Sequence, residues 1–143
     1  MSAEQSIDQH PLPLRTHDAE PFWAGCRNRE LLVQRCAECA TCQFYPRAVC
    51  ASCGSDQLQF LPVSGRGEVF AFTVCHRPLA PRFAGRTPYV VALVDLDEGP
   101  RMMTNIVGCP VSDVHIGMTV QVSFEQLNED VSLPVFASTG PHE

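Results

Sequence analysis

A mostly β chain, entered through one short helix and a metal-stapled ribbon, is what this sequence predicts, and three observations predict it. Six of the eight cysteines fall between Cys26 and Cys53, a span of 28 residues. From Val63 onward the chain becomes a series of short apolar, β-branched and aromatic runs broken by Gly, Pro and Asn/Asp turns. The 143 residues suffice for one ordinary domain or for a small metal-stapled module followed by a compact β domain of about 75 residues. The cysteine distribution favours the second, with boundaries at 1–17 (flexible arm), 18–62 (helix and zinc ribbon), 63–139 (β domain) and 140–143 (tail).

Residues 1–17 lack a periodic apolar pattern. Order is expected to begin at Asp18, which would cap a helix carrying Pro21 in its first turn, where the missing N–H is harmless. Phe22, Trp23 and Cys26 then share one side, pinning the helix to the core or offering a partner surface. Leu31–Gln34 reads as a strand feeding the first cysteine pair, and Leu58–Pro62 as a second strand after the last. Two strands flanking paired cysteines make a ribbon.

Ser64–Gly67 reads as a turn and Glu68–His76 as a strand, with Val69, Ala71, Thr73 and Cys75 on one face and Phe70, Phe72, Val74 and His76 on the other. A proline-rich loop then leads to Tyr89–Leu96, whose continuous apolar run marks a buried strand. The turn Asp97–Pro100 returns the chain antiparallel over Arg101–Val107. After Gly108–Pro110, Val111–Ile116 allows one helical turn, and strands follow at Met118–Leu127 and Val131–Ala137. Five strands with a helical connection between the third and fourth have the order of an OB-fold, a small barrel.

Composition excludes several functions. The chain carries net charge −6, and all ten of its basic residues are arginine. Without lysine there is no Schiff base, so a lysine-dependent aldolase or a pyridoxal enzyme cannot be built from this chain alone. No apolar signal-like segment opens the sequence and no apolar run approaches the ~20 residues of a bilayer span, so a cytoplasmic location is expected. In a reducing compartment clustered cysteines more often bind metal than form disulfides.

The pattern Cys36-x2-Cys39-x10-Cys50-x2-Cys53 is the strongest motif present. Thiolates two residues apart turn their sulfurs onto one cation, and two such knuckles complete a tetrahedron that leaves no place for water or substrate. The zinc implied is structural. Four thiolates would also accept iron, as in rubredoxin, although no flavin motif or sign of a redox partner accompanies them. Gly54 eases the turn after the second pair, whereas Ala40 stands at the equivalent place after the first. Cys42 extends the first knuckle and reads as a spare surface thiol or a competing ligand.

In the order helix with Phe22-Trp23, strand, Cys36-x2-Cys39, Phe44-Tyr45-Pro46-Arg47, Cys50-x2-Cys53-Gly54, then a barrel opening with Gly65-Arg66-Gly67-Glu68-Val69, residues 18–138 resemble the zinc-ribbon and OB-fold proteins catalogued as a domain of unknown function. Ala40 in place of the usual glycine, and one proline where the family often has two, are the departures. The resemblance implies a rubredoxin-like ribbon and an accessory role beside a thiolase-like subunit in a hetero-oligomer acting on acyl-CoA, in thiolytic, retro-aldol or Claisen-type chemistry or acyl transfer. The catalytic residues would then belong to the partner, with a coenzyme A thioester as the substrate of the complex.

Arg77, Arg82 and Arg86 in the proline-rich loop, with Phe83 and Tyr89 nearby, are candidate contacts to CoA or to the partner, because the guanidinium fork suits phosphate; the plainer alternative is a solvated basic loop. Catalysts are scarce. Cys75 and His76 are sequence neighbours on a strand and point to opposite faces, and Cys109 and His115 have no evident base in reach. The acidic group Asp95, Asp97 and Glu98 reads as a solvated hairpin tip. A nucleic-acid-binding module is the rival reading, since ribbons and OB-folds both serve it, but residues 63–139 hold five arginines against eight acidic residues. A self-sufficient small enzyme is disfavoured by the closed metal site and the unpaired histidines.

Overall fold

The computed structural model describes residues 12–139 except 14; the remainder of the expected arm and the tail at 140–143 lie outside the described residues. A 3-10 turn at His17–Ala19 leads into the helix α1, Glu20–Arg27. Ala19 takes the N-cap position and no side chain caps the helix, so Asp18 does not perform the capping role expected of it. The reason is that the 3-10 turn continues directly into the α-helix, leaving Asp18 inside that turn, where its carboxylate adds only a favourable charge. Phe22, Trp23 and Cys26 are buried together as expected.

Strand β1 (Leu32–Cys36) pairs on one side with β2 (Cys42–Gln43) and on the other with β3 (Leu58–Pro62), both antiparallel, giving the ribbon sheet β2-β1-β3. α1 lies close against β1, and Gly25 allows it: a Cβ there would meet the Glu30 carbonyl at 2.8 Å and Leu32 Cγ at 2.9 Å.

Strands β4 (Arg66–Cys75), β5 (Tyr89–Leu96), β6 (Arg101–Val107), β7 (Thr119–Gln126) and β8 (Ser132–Ser138) close into a barrel in the order β4-β5-β6-β8-β7. A 3-10 turn at Val111–Asp113 lies between the third and fourth of them. This is the OB-fold arrangement, with β6 and β8 in parallel and the other pairings antiparallel. β4 starts two residues earlier than expected, since Arg66 and Gly67 already pair with Gln121 and Val120.

The expected alternation along β4 holds only to Val69. A register shift between Val69 and Ala71 leaves Phe70 as an extra residue, and such a bulge transfers every later side chain to the opposite face. Phe72 and Val74 therefore pack against the core while Phe70 is 48% exposed. Arg101 covers its ring at 3.5 Å and pairs with Asp95 at 2.6 Å. The Glu98 carboxylate accepts from the Ser64 N–H at 2.9 Å. The acidic hairpin is thus partly engaged, not a simple solvated tip.

Val69, Val94, Val120 and Phe136 fill the barrel, and one continuous cluster joins them to Phe22, Trp23, Cys26, Leu31 and Val33. The helix is the bridge: Phe22 meets Trp23 edge-on at 4.8 Å and Phe44 of the ribbon at 5.2 Å. Among the described residues no helix is long and apolar enough to cross a membrane.

Candidate metal centre

The end of β1 delivers Cys36, and the turn after it delivers Cys39. Cys50 and Cys53 come from a second turn between β2 and β3. The two turns are built alike. Cys36 N–H donates to the Thr41 carbonyl at 3.0 Å and Cys50 N–H to the Ser55 carbonyl at 2.7 Å. Ala40 N–H returns to the Cys36 carbonyl, and Gly54 N–H to that of Cys50, both at 2.9 Å. Each turn closes through a left-handed residue, Ala40 at φ 65° and Gly54 at φ 80°. The strain expected at Ala40 is therefore present, because a Cβ in this region costs roughly 1–2 kcal/mol. Ala40→Gly is expected to raise the zinc-loaded protein's stability by about 0.5–1 kcal/mol after the added freedom of the unfolded glycine is counted, readable as a higher thermal midpoint at unchanged metal content.

All four sulfurs lie within 4.8 Å of one another. Cys36 and Cys53 Sγ are 3.6 Å apart, as are Cys39 and Cys50 Sγ. A tetrahedron with Zn–S bonds of about 2.3 Å has edges of about 3.8 Å, so the donor set fits a single ion of that kind. Backbone amides support the sulfurs: Cys39 N–H lies 3.5 Å from Cys36 Sγ and Ser52 N–H 3.3 Å from Cys50 Sγ. Contact with the Thr41 hydroxyl, followed by the Thr41 backbone, holds the Cys39 thiol at about 6. Cys53, although the Ser55 backbone lowers it, is pushed up to about 12 by the adjoining Cys36 thiol and by burial. A central cation resolves that conflict by favouring the thiolate at every position.

Cys42 is outside this group. It is a free thiol, spare as expected and not a competing ligand, but half-buried on β2 opposite Arg35 and packed against the core instead of fully on the surface. Pairing of β2 with β1 turns its side chain away from the knuckle.

Two glutamines outside the cysteine motif hold the centre in place. Gln34 and Gln43 face each other across β1 and β2, 3% and 8% exposed. Gln43 Nε2 donates to Gln34 Oε1 at 2.7 Å, and Gln34 fixes Arg47 through both its N–H and its carbonyl, at 2.8 and 2.9 Å. Gln43 Oε1 accepts from Ala51 N–H at 2.9 Å, one residue beyond Cys50. Their signal was a polar residue at the inward position of an otherwise apolar strand.

The loop arginines divide. Arg82 and Arg86 converge on Glu125, at 3.6 and 3.0 Å, with Arg82 Nη2 also donating to Asn105 Oδ1 at 3.2 Å. The Arg86 hydrogen bond is the chief reason that the Glu125 carboxyl lies below its usual range. Phe83 stacks on Tyr89 at 3.9 Å beneath them. Arg77 is exposed and takes part in no salt bridge among the described residues. Two thiols outside the cluster are poor nucleophiles: burial pushes Cys26 up to about 12, and burial followed by the Asp113 charge raises Cys109. Among the described residues His115 Nδ1 has a hydrogen-bond contact only with the Asp113 carbonyl, at 3.0 Å.

A short helix, a four-cysteine ribbon and a closed five-stranded barrel define a zinc-ribbon and OB-fold protein. Residues 23–59 match the family described as ChsH2, rubredoxin-like zinc ribbon domain, and residues 61–125 match ChsH2, C-terminal OB-fold domain. The chain belongs to this ChsH2/DUF35 family. A DUF35 domain-containing scaffold protein of Methanocaldococcus jannaschii is 36% identical over 76% of this chain and 77% of its own length. A probable enoyl-CoA hydratase alpha subunit of Thermomonospora curvata is 37% identical over 97% of this chain, which spans 44% of that protein. The benzoylsuccinyl-CoA thiolase subunit BbsA of Thauera aromatica is 29% identical over 60% of each chain. Among solved structures, an Ltp2-ChsH2(DUF35) aldolase contains a chain with TM-score 0.81 and 36% identity, covering 90% of this chain and 100% of that one.

Proposed function

We propose that this chain is a zinc-holding scaffold subunit of a thiolase-like or aldolase complex acting on acyl-CoA. The observation that carries the reading is the closed donor set: Cys36, Cys39, Cys50 and Cys53 supply four ligands within 4.8 Å, so a bound zinc has no open position for substrate. Bound there, zinc supplies cross-linking of the two knuckles and no Lewis-acid step. The residues of the chain hold and orient. The helix and ribbon of 18–62 and the barrel of 63–139 act as two units joined through Phe22 and Trp23, and the catalytic groups come from the partner subunit.

Family membership supports this reading, since relatives are named as a scaffold protein, a thiolase subunit and a component of an aldolase. The absence of a nucleophile paired with a base among the described residues supports it independently. Arg77, Arg82 and Arg86 are the arginines offered to CoA phosphates or to the partner, and Arg77 is exposed and outside any salt bridge among the described residues. Three of the five arginines in 63–139 are already engaged by Glu125 or Asp95, which leaves little free charge for tracking a nucleic-acid backbone.

Co-expression with the thiolase-like protein of the native source is the test. The expected result is a stable hetero-oligomer that cleaves or condenses acyl-CoA, with no turnover by the zinc-loaded chain alone. Robust acyl-CoA turnover by the isolated chain overturns the proposal.

A further inference from the structure

At the junction of α1 with the hairpin joining β7 and β8 lies a pocket of about 140 Å³, lined by Arg27, Arg29, Phe124, Gln126, Glu129 and Ser132. It is smaller than the roughly 300–1,000 Å³ of drug-sized ligand sites and suits an ion with a few waters. All of its lining except Phe124 is polar.

Arg29 stands where glycine is the usual residue. The helix ends in a paired closure, in which the Arg29 N–H donates to the Cys26 carbonyl at 3.1 Å and the Glu30 N–H to that of Gly25 at 2.8 Å. That closure sets Arg29 at φ 59°, in the left-handed region where a Cβ is disfavoured. A side chain kept there at a cost to the backbone points to a use for it. The same bonds occupy helix-end carbonyls that would otherwise repel an anion.

Both guanidinium groups are accessible. Arg27 and Arg29 are exposed, and neither takes part in a salt bridge among the described residues. Arg27 Nη1 donates to the Asp130 carbonyl at 3.3 Å, which fastens the side chain to the hairpin while using one of its several donors. The hairpin tip is fixed in turn, because Asn128 Oδ1 accepts from the N–H groups of Asp130 and Val131 at 2.7 and 2.8 Å. Ser132, 9% exposed, adds a hydroxyl to the lining. Against the two positive charges the pocket sets one carboxylate, Glu129.

We propose that this pocket binds inorganic phosphate, with Arg27 and Arg29 donating to its charged oxygens and Glu129 accepting from its P–OH. The carboxylate sets the selectivity: phosphate keeps a P–OH at neutral pH, whereas sulfate has no such proton and is repelled by Glu129. Bound there, the ion ties the end of α1 to the barrel. The inference goes beyond the scaffold reading and is tested on the chain without any partner, so the two can fail separately.

The zinc-loaded full-length chain, in a buffer free of both anions, is titrated with phosphate and, in parallel, with sulfate at matched ionic strength. Amide resonances of Arg29, Glu30, Glu129 and Asp130 and the thermal midpoint are followed. Phosphate is expected to give saturable shifts, to raise the midpoint, and to bind at least about tenfold tighter than sulfate. Methyl phosphate, which at neutral pH has mostly lost its P–OH, is expected to bind more weakly than phosphate. Arg29→Gly relieves the backbone, so its midpoint without phosphate is expected to rise while its phosphate affinity falls at least about tenfold. Arg27→Gln is expected to weaken phosphate similarly at unchanged zinc content, and Glu129→Gln to bring sulfate within about threefold of phosphate. No saturable response in the wild type, sulfate or methyl phosphate bound as tightly as phosphate, or a phosphate affinity that survives both arginine substitutions overturns the proposal.

Discussion

Replacing Cys50 by serine is expected to reduce the bound metal from one zinc per chain to near zero and to unfold the ribbon. Cys50 is 3% exposed, and its sulfur is 3.6 Å from that of Cys39. A serine hydroxyl cannot supply a thiolate at neutral pH, so three donors would remain around an opened ion. The consequence is large because the ribbon has little else. Its sheet contains a two-residue β2 and two five-residue strands, and modules of this size rarely hold together without a metal or disulfide. Apparent zinc-binding energies of about 10–16 kcal/mol in comparable tetracysteine or mixed sites are folding energy. Metal analysis together with limited proteolysis between Cys36 and Gln57 reads both effects. Cys42→Ser is the control, and it should keep its zinc because Cys42 stands outside the four-sulfur group. Equal metal loss in the two variants would remove Cys50 from the ligand set.

The four sulfurs were legible in the sequence because a metal knuckle is a local device: two cysteines at fixed spacing and a turn residue define it without help from distant residues. The five barrel strands were legible for a similar reason, each being a run bounded by turn signals. Three features were not. The bulge at Phe70 leaves no mark in an alternating apolar stretch, since both faces of EVFAFTVC are equally greasy, and only the partners on β5 determine where the extra residue falls. The start of the helix is not legible because a favourable Asp18 competes with a 3-10 entry that backbone continuity decides. The pairing of Arg82 and Arg86, candidate contacts to CoA or the partner, with Glu125 is hidden because Glu125 is 39 residues beyond Arg86 in the chain. Long-range pairing, not propensity, settles the first and the third of these.

The buried glutamines show how the same long-range logic governs the metal centre. Gln34 occupies an inward position on β1, where an apolar residue would have satisfied the pattern; its side chain instead makes three hydrogen bonds to the second strand and to Arg47. Gln34→Leu conserves bulk and removes all three. It strands the Arg47 N–H and carbonyl and deprives the Gln43 amide of its closest acceptor, and each buried group left unpaired costs about 1–3 kcal/mol. A net destabilisation of about 3 kcal/mol is therefore expected, allowing for some recovery through solvent. Its location matters more than its size. Gln43 Oε1 holds Ala51 N–H, and Ala51 follows Cys50, so a displaced Gln43 frees the second knuckle while leaving all four ligands chemically intact. Zinc stoichiometry should thus stay at one per chain while transfer of the ion to a competing chelator quickens by at least about tenfold, the kinetic equivalent of roughly 1.4 kcal/mol. Unchanged release despite a lowered thermal midpoint would mean that the glutamine pair supports the fold only, and that the second knuckle is held by its own backbone bonds.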